Sequence, residues 1–362
     1  MGVRTALIKR LWVRAQLSAC ALLAILPCIA AAHPANIPVA RAKVQVNGSV
    51  ELTITFDILA FVLDQTPQIV LDSPMNALVD GPRKDLQDRL AAAQTRFLEG
   101  LVIGDEKNLG SVDSVDFPTA EDIHKVIDGG QLPRLPVMMT ATVRCHLASH
   151  AKRVSFRFAE VLGPVVLTTE FPYKEPTSES IEPGDSSTPL ELPTQAEVDA
   201  LAASMKPKTA IAKKADRKPT EAQARKAIQR QYDAWSKAYM GHDLDTLLSI
   251  LAPGYTLKTA QGTLIKRNEY EVMLKMRKQK HSDTTLYKTE ILRITLKDGV
   301  AAIWSRETTT DPGLNQKTGK TEPVSYQHDY IDLWILASGK WLLKGTVTQR
   351  EQVIAMPKPP RG

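Results

Sequence analysis

The chain has 362 residues, with 46 Lys and Arg against 40 Asp and Glu, and a formal net charge of +6 at pH 7. Four of those cations, Arg4, Lys9, Arg10 and Arg14, precede an apolar run over residues 17–32, and without them 42 cations face 40 anions. That balance, with no cations clustered on one surface, excludes a nucleic-acid-binding reading, and the length makes two domains the default expectation.

Residues 1–32 read as a secretory signal: a basic leader, a short apolar run and the small residues Ala30, Ala31 and Ala32 beside the expected cut. An uncleaved anchor and lipidation of Cys28 are the alternatives. No later stretch reaches the ~20 apolar residues of a membrane helix. The mature chain is therefore expected to be exported, periplasmic or secreted, and not membrane-spanning. Cys20 and Cys28 fall in the leader, so Cys145 alone survives, and its alternating strand context reads as a buried small hydrophobe.

Residues 33–172 form the first expected domain. Two alternating runs, 37–47 and 49–59, meet at Asn47-Gly48, a hairpin signal because both residue types tolerate positive φ. Leu86, Leu90, Ala93 and Phe97 recur at helical spacing over 83–101. Residues 105–136 read mostly as loop with a short helix near 120–127, and strands are expected at 137–148, 153–159 and 165–171. With Ala32-His33 at its start, a hairpin, an inserted helix and final strands, this segment resembles the extracytoplasmic β-sandwich of the HupE/UreJ-like proteins. It departs from them in lacking the membrane helices that follow there.

Residues 173–219 read as a linker, with six prolines and many Ser, Thr and charged residues. Thr194 and Glu197 form a capping-box pattern for a short helix, and 206–218 is locally basic, a solvated spacer or a contact for an anionic envelope surface.

Residues 220–355 form the second domain. Thr220 and Gln223 make another capping box, and Ala224, Ile228, Tyr232, Trp235 and Tyr239 follow as the inner stripe of a helix ending at Gly241. Asp243 caps a second helix that Pro253-Gly254 should stop. A small hairpin around Gln261-Gly262, a third helix over 267–280 and strands at 284–296, 300–310, 323–336 and 341–352 complete the chain. Three helices followed by a meander, with Tyr232-Asp233-Ala234-Trp235, Asp243-Leu244-Asp245, Asp332-Leu333-Trp334 and Ser338-Gly339-Lys340-Trp341, resemble the nuclear transport factor 2-like, SnoaL-like superfamily. The resemblance implies an α+β cone, three helices on a curved antiparallel sheet, which serves enzymes, binders and association modules alike.

In such a cone the strand over 323–336 would aim Tyr326, His328, Tyr330 and Asp332 at the first helix, where Tyr232 and Trp235 sit. His328 and Asp332 lie ~13 Å apart along one strand, so a tyrosine would have to link them. They are the candidate catalytic pair; Tyr232, Trp235, Trp304, Arg306, Tyr326 and Tyr330 are the candidate ligand pocket, with Arg306 as clamp for an anion or as partner of Glu290 or Glu307. Packing alone is the competing reading of these aromatics. The strand at 255–259 has no acid, so the carboxylate base that ketosteroid-isomerase-like and SnoaL-like enzymes need is missing.

The leading expectation is therefore a noncatalytic module that binds a small hydrophobic or anionic ligand or self-associates as a homodimer through Ile331, Leu333 and Ile335, with no cofactor. The alternatives are an acid–base enzyme using Asp332 or His328, and copper or nickel handling by the first domain through His33, His124, His146 and His150. No metal-site residues are assigned, because those spacings match no metal motif.

Overall fold

A computed structural model of the chain describes residues 37–67, 70–105, 108–129, 136–172, 174–192, 194, 196–197, 199–200, 219–279, 284–314 and 321–355. The expected leader, His33 and the basic stretch 206–218 lie outside the described residues. The described chain is mixed α+β with three sheets.

β1 (Val39–Val44) and β2 (Ser49–Asp57) form the hairpin at Asn47-Gly48. Only Gly48 takes the positive φ, +82°, while Asn47 Oδ1 accepts the Ser49 amide at 3.0 Å. The second run, expected as strand to residue 59, turns helical two residues earlier, as α1 (Ile58–Val62). Asp57 causes the change: its carboxylate accepts the amides of Leu59 and Ala60 as an N-cap. The five helical residues are all buried, so their apolar run had no period to read.

α2 (Asp72–Asp80) leads to α3 (Arg83–Gly100), which buries Leu86, Leu90, Ala93 and Phe97 as its spacing predicts. The Phe97 ring stacks on Phe56 of β2, centroids 5.8 Å apart. β3 (Val102–Asp105) follows the helix, and the stretch expected as loop contains two further strands, β4 (Asn108–Leu109) and β5 (Ser111–Asp116). β5 is mostly exposed and polar, so it carries no alternation; its pairing with β6 (Met138–His146) makes it a strand. α4 (Ala120–Asp128) begins at a capping box of Thr119 and Asp122.

β7 (Arg153–Arg157), β8 (Val165–Glu170), β9 (Thr177–Ile181) and β10 (Leu190–Glu191) complete two sheets, ordered β5-β6-β2-β1-β8-β9 and β10-β7-β3-β4. One apolar core, with Leu52, Ile54, Phe97, Val154 and Phe156, joins them. Cys145 lies in that core as a buried free thiol, pushed up to about 11 by burial and then by Asp113. β9 and β10 fall inside the segment read as linker; both are short polar edge strands whose pairing comes from β8 and β7. The Thr194–Glu197 capping box is formed.

The third sheet runs β12-β11-β16-β15-β14-β13. α5 (Glu221–Met240) starts at the Thr220–Gln223 capping box and buries Ala224, Ile228, Tyr232, Trp235 and Tyr239. α6 (Leu244–Ile250) is capped by Asp243 and runs straight into β11 (Leu251–Lys258). Pro253-Gly254 sits inside β11, not before it, where a register shift between Leu251 and Thr256 against β16 absorbs it. β12 (Leu264–Lys266) and α7 (Arg267–Gln279) precede the meander β13 (Leu286–Lys297), β14 (Val300–Leu314), β15 (Thr321–Ala337) and β16 (Lys340–Ala355). Both outer turns pair two positive-φ residues, Asp298-Gly299 and Ser338-Gly339, the backbone hand that matches strand twist. α5 is held along β13 by Arg225 Nη2 donating to the Ile291 carbonyl at 2.5 Å and Gln229 Nε2 to that of Thr289 at 3.1 Å.

The first sheet seats directly on β12 and α7. Glu269 of α7 is fully buried and accepts Arg41 Nε at 2.7 Å, Arg41 Nη2 at 2.8 Å, the Lys266 amide at 2.7 Å and the Thr168 hydroxyl at 3.2 Å. Lys266 pairs with Glu170 at 2.7 Å, and Val39 and Val166 join the core beneath α5.

Candidate functional site

The curved third sheet and the helices α5, α6 and α7 leave a cavity of about 90 Å³ between them. That is well above the ~10–15 Å³ one water requires. Its depth is set by large aromatic residues: Tyr232, Trp235 and Tyr239 from α5, Tyr270 from α7, Tyr287 from β13 and Trp334 from β15.

Asp332 is one polar centre. It is 3% exposed and accepts three hydroxyl hydrogens: Tyr232 at 2.6 Å, Ser305 at 2.7 Å and Thr346 at 2.7 Å. Trp334 Nε1 donates to the Tyr232 hydroxyl at 3.1 Å, and the two rings meet edge to face. Burial raises the Asp332 pKa, while the three hydroxyl donors act to lower it. Burial and the nearby Asp332 charge push the Tyr232 phenol well above its ordinary range. The link between helix and strand is thus Tyr232 to Asp332.

His328 belongs to a second centre. Its Nδ1 faces Glu307 Oε1 at 3.7 Å and its Nε2 faces Glu351 Oε1 at 3.6 Å, with the ring stacked between Tyr326 and Tyr330. Burial alone would lower the imidazole's pKa; the hydrogen bond and charge of Glu351, then the charges of Glu307 and Asp311, outweigh it and raise it. Glu307 accepts the Tyr287 hydroxyl and, at 3.4 Å, that of Tyr330; Trp235 Nε1 in turn donates to the Tyr287 oxygen at 2.9 Å. Burial pushes the Glu307 carboxyl up to about 7, against the lowering effects of His328 and Tyr287 and with help from Asp332 and Asp311. A carboxyl that exchanges its proton near neutrality beside an imidazole can serve as acid, base or charge acceptor.

Of the residues singled out by sequence, the cavity brings together Tyr232, Trp235, His328, Tyr330 and Asp332. Tyr326 stacks on His328 but stands outside the lining. Trp304 and Arg306 lie on the opposite face of the sheet. Arg293 sits 4.8 Å over the Trp304 ring, and Arg306 makes a two-pronged pair with Asp329 at 2.8 and 3.1 Å rather than with Glu290 or Glu307. Glu307, named by sequence only as a partner for Arg306, and Glu351, which sequence did not name, flank His328. The pairing Glu307↔His328 puts odd-numbered residues of β14 on the face of even-numbered residues of β15. That parity depends on the register between the two strands, which neither strand carries by itself. Elsewhere, the His146 ring bonds Asp113 at 2.6 Å, and among the described residues no group of three or more His, Cys, Asp or Glu is placed to hold a metal.

Fold and site together define a mixed α+β protein with an aromatic cavity carrying a Glu–His–Glu array. No protein-family model matches the chain, and no curated protein matches it. Solved structures give partial likenesses. A protein of unknown function from Mycobacterium tuberculosis matches at 13% identity over 35% of this chain and 70% of its own, with TM-score 0.29. A nuclear transport factor 2-like protein of unknown function from Silicibacter pomeroyi matches at 13% identity over 38% and 100%, with TM-score 0.27. A putative calcium/calmodulin-dependent protein kinase II association domain from Xanthomonas campestris matches at 21% identity over 38% and 91%, with TM-score 0.26. None of these likenesses transfers a function to this chain.

Proposed function

We propose that the chain is an exported small-ligand-binding protein. In this reading residues 220–355 are a nuclear transport factor 2-like cone and residues 33–172 a β-sandwich-like support. The observation that carries it is the cavity: aromatic, and equipped with the convergent polar groups Glu307, His328 and Glu351. The test is a thermal-shift screen of small molecules on the full chain and on Leu257→Trp, which fills the lining. A ligand should raise the melting temperature of the wild type by mass action and lose its effect on the variant. Stabilisation that survives Leu257→Trp, or none across the screen, counts against the cavity. Export is tested separately, by fractionating bacteria that express the protein and sequencing its N-terminus; recovery in the cytoplasm with residues 1–32 retained rejects it.

A second reading is an acid–base enzyme, favoured by the Glu307 carboxyl held near 7 in the cavity. Its base is Glu307, whereas Asp332 is occupied by three hydroxyl donors. Glu307→Gln should abolish turnover of any substrate found while leaving the fold intact; full activity in that variant rejects the reading.

The outer face of the sheet supports self-association. Trp304, Ile331 and Val347 stand in one cross-strand row, next to the exposed Leu333. Light scattering should report a dimer that Leu333→Lys and Val347→Lys together dissociate; a monomer at all concentrations removes it.

A further inference from the structure

Six of the cavity's donors are spent on its own acceptors. Tyr232 and Thr346 donate to Asp332, Tyr287 and Tyr330 to Glu307, and the indoles of Trp235 and Trp334 to phenol oxygens. What a guest meets is mainly carboxylate, phenol oxygen and aromatic ring, which attract positive charge. Three carboxyl groups, Glu307, Asp332 and Glu351, line the space together with one imidazole, and among the described lining residues there is no Lys or Arg. Arg306, the clamp expected for an anion, is on the other face, bound to Asp329. The protein itself places a cation against this aromatic shell: the Arg277 guanidinium sits 3.9 Å over the Tyr239 ring, while lying 3.6 Å from Asp311.

We propose that the cavity selects a small organic ammonium ion, its charged head on the cavity side of the Glu307–His328–Glu351 array and its apolar body against the tyrosine and tryptophan rings. This rests on the ligand-binding reading and replaces the hydrophobic or anionic guest expected from sequence. Binding is coupled to pH. The groups facing Glu307 are Tyr239 on α5, Tyr255 on β11, Tyr270 on α7, Tyr287 on β13, Asp311 on β14, and His328, Tyr330 and Asp332 on β15; Glu351 of β16 acts through His328, and Arg277 of α7 through Asp311. Raising pH ionises Glu307 and discharges His328, so both changes strengthen the attraction for a cation.

Three probes of nearly one shape separate the possibilities: 3,3-dimethylbutylammonium, 3,3-dimethylbutan-1-ol and 3,3-dimethylbutanoate. Calorimetric titration of the full chain should give the ammonium at least ~10-fold tighter binding than the alcohol, tighter at pH 8 than at pH 6. Glu351→Gln should weaken the ammonium several-fold and leave the alcohol unchanged. Equal binding of alcohol and ammonium overturns the cation while the cavity reading stands. Preference for the carboxylate overturns it by reversing the sign of the site. Failure of all three probes to bind removes both.

Discussion

Glu307 and His328 stand directly opposite one another on neighbouring strands, with Oε1 3.7 Å from Nδ1, inside a cavity wall of tyrosines. Both groups hold protons more tightly than they would in water. The folded state therefore carries protons that the unfolded chain releases, and this gives stability a definite pH dependence.

The Glu307 carboxyl rises from 4.5 to about 7 on folding. Between those values only the folded state keeps the proton, so stability falls as pH rises through that window, by roughly 3 kcal/mol when complete. His328, raised above 6.5, adds a loss of the same sign as pH climbs through its folded value. Urea denaturation should show the wild type losing stability from pH 5 to pH 8, with a clearly flatter profile for Glu307→Gln. Parallel profiles would mean that Glu307 titrates normally.

Asp332 takes three hydroxyl hydrogens in a buried site. Asp332→Ala leaves those donors without an acceptor and should cost roughly 3 kcal/mol or more, whereas Tyr232→Phe, which removes the bond to Asp332 and the acceptor of Trp334 Nε1, should cost about 2 kcal/mol. Equilibrium unfolding measures both. A neutral Asp332→Ala would show that Asp332 is dispensable to the cone.

Arg41 and Glu269 tie the first sheet to α7 across 228 residues of sequence. Removing Arg41 strands a buried carboxylate, and Glu269→Ala strands both the guanidinium and the Lys266 amide, so each should destabilise by roughly 3 kcal/mol. The double variant should fall short of the sum by about 1–3 kcal/mol. Additive losses would mean that the pair is not coupled.

Gly100 closes α3 against the backbone of Ala159. A Cβ there would lie 2.5 Å from the Ala159 Cβ and 2.7 Å from its Cα. Gly100→Ala should therefore lower stability by about 1–3 kcal/mol despite the better helix propensity of alanine. A rise in the melting temperature would show that the two segments can move apart.

Local chemistry was legible from the residues alone. Threonine followed three positions later by a carboxylate or amide marks helix starts at 194 and 220, and both capping boxes form. The α5 stripe and the inward set of β15 follow from periods of 3.6 and 2. These periods put Tyr232 and Trp235 on one helix face and His328, Tyr330 and Asp332 on one strand face; that the two faces meet was implied only by the resemblance to a cone. Asp57 shows the limit within local reach: its N-cap signal was present, but the apolar run after it masked the helix.

Pairing decided the rest. β5, β9 and β10 are strands because partners supply their hydrogen bonds, not because their own side chains alternate. Whether Glu307 or Arg306 meets His328 depends on the parity of a hairpin register, and a slip of one residue exchanges the two faces. Arg41 and Glu269 meet only because the first sheet packs on α7. Side-chain period is a property of one segment and can be read along the chain; register and stacking belong to two segments at once, and only the folded chain contains both.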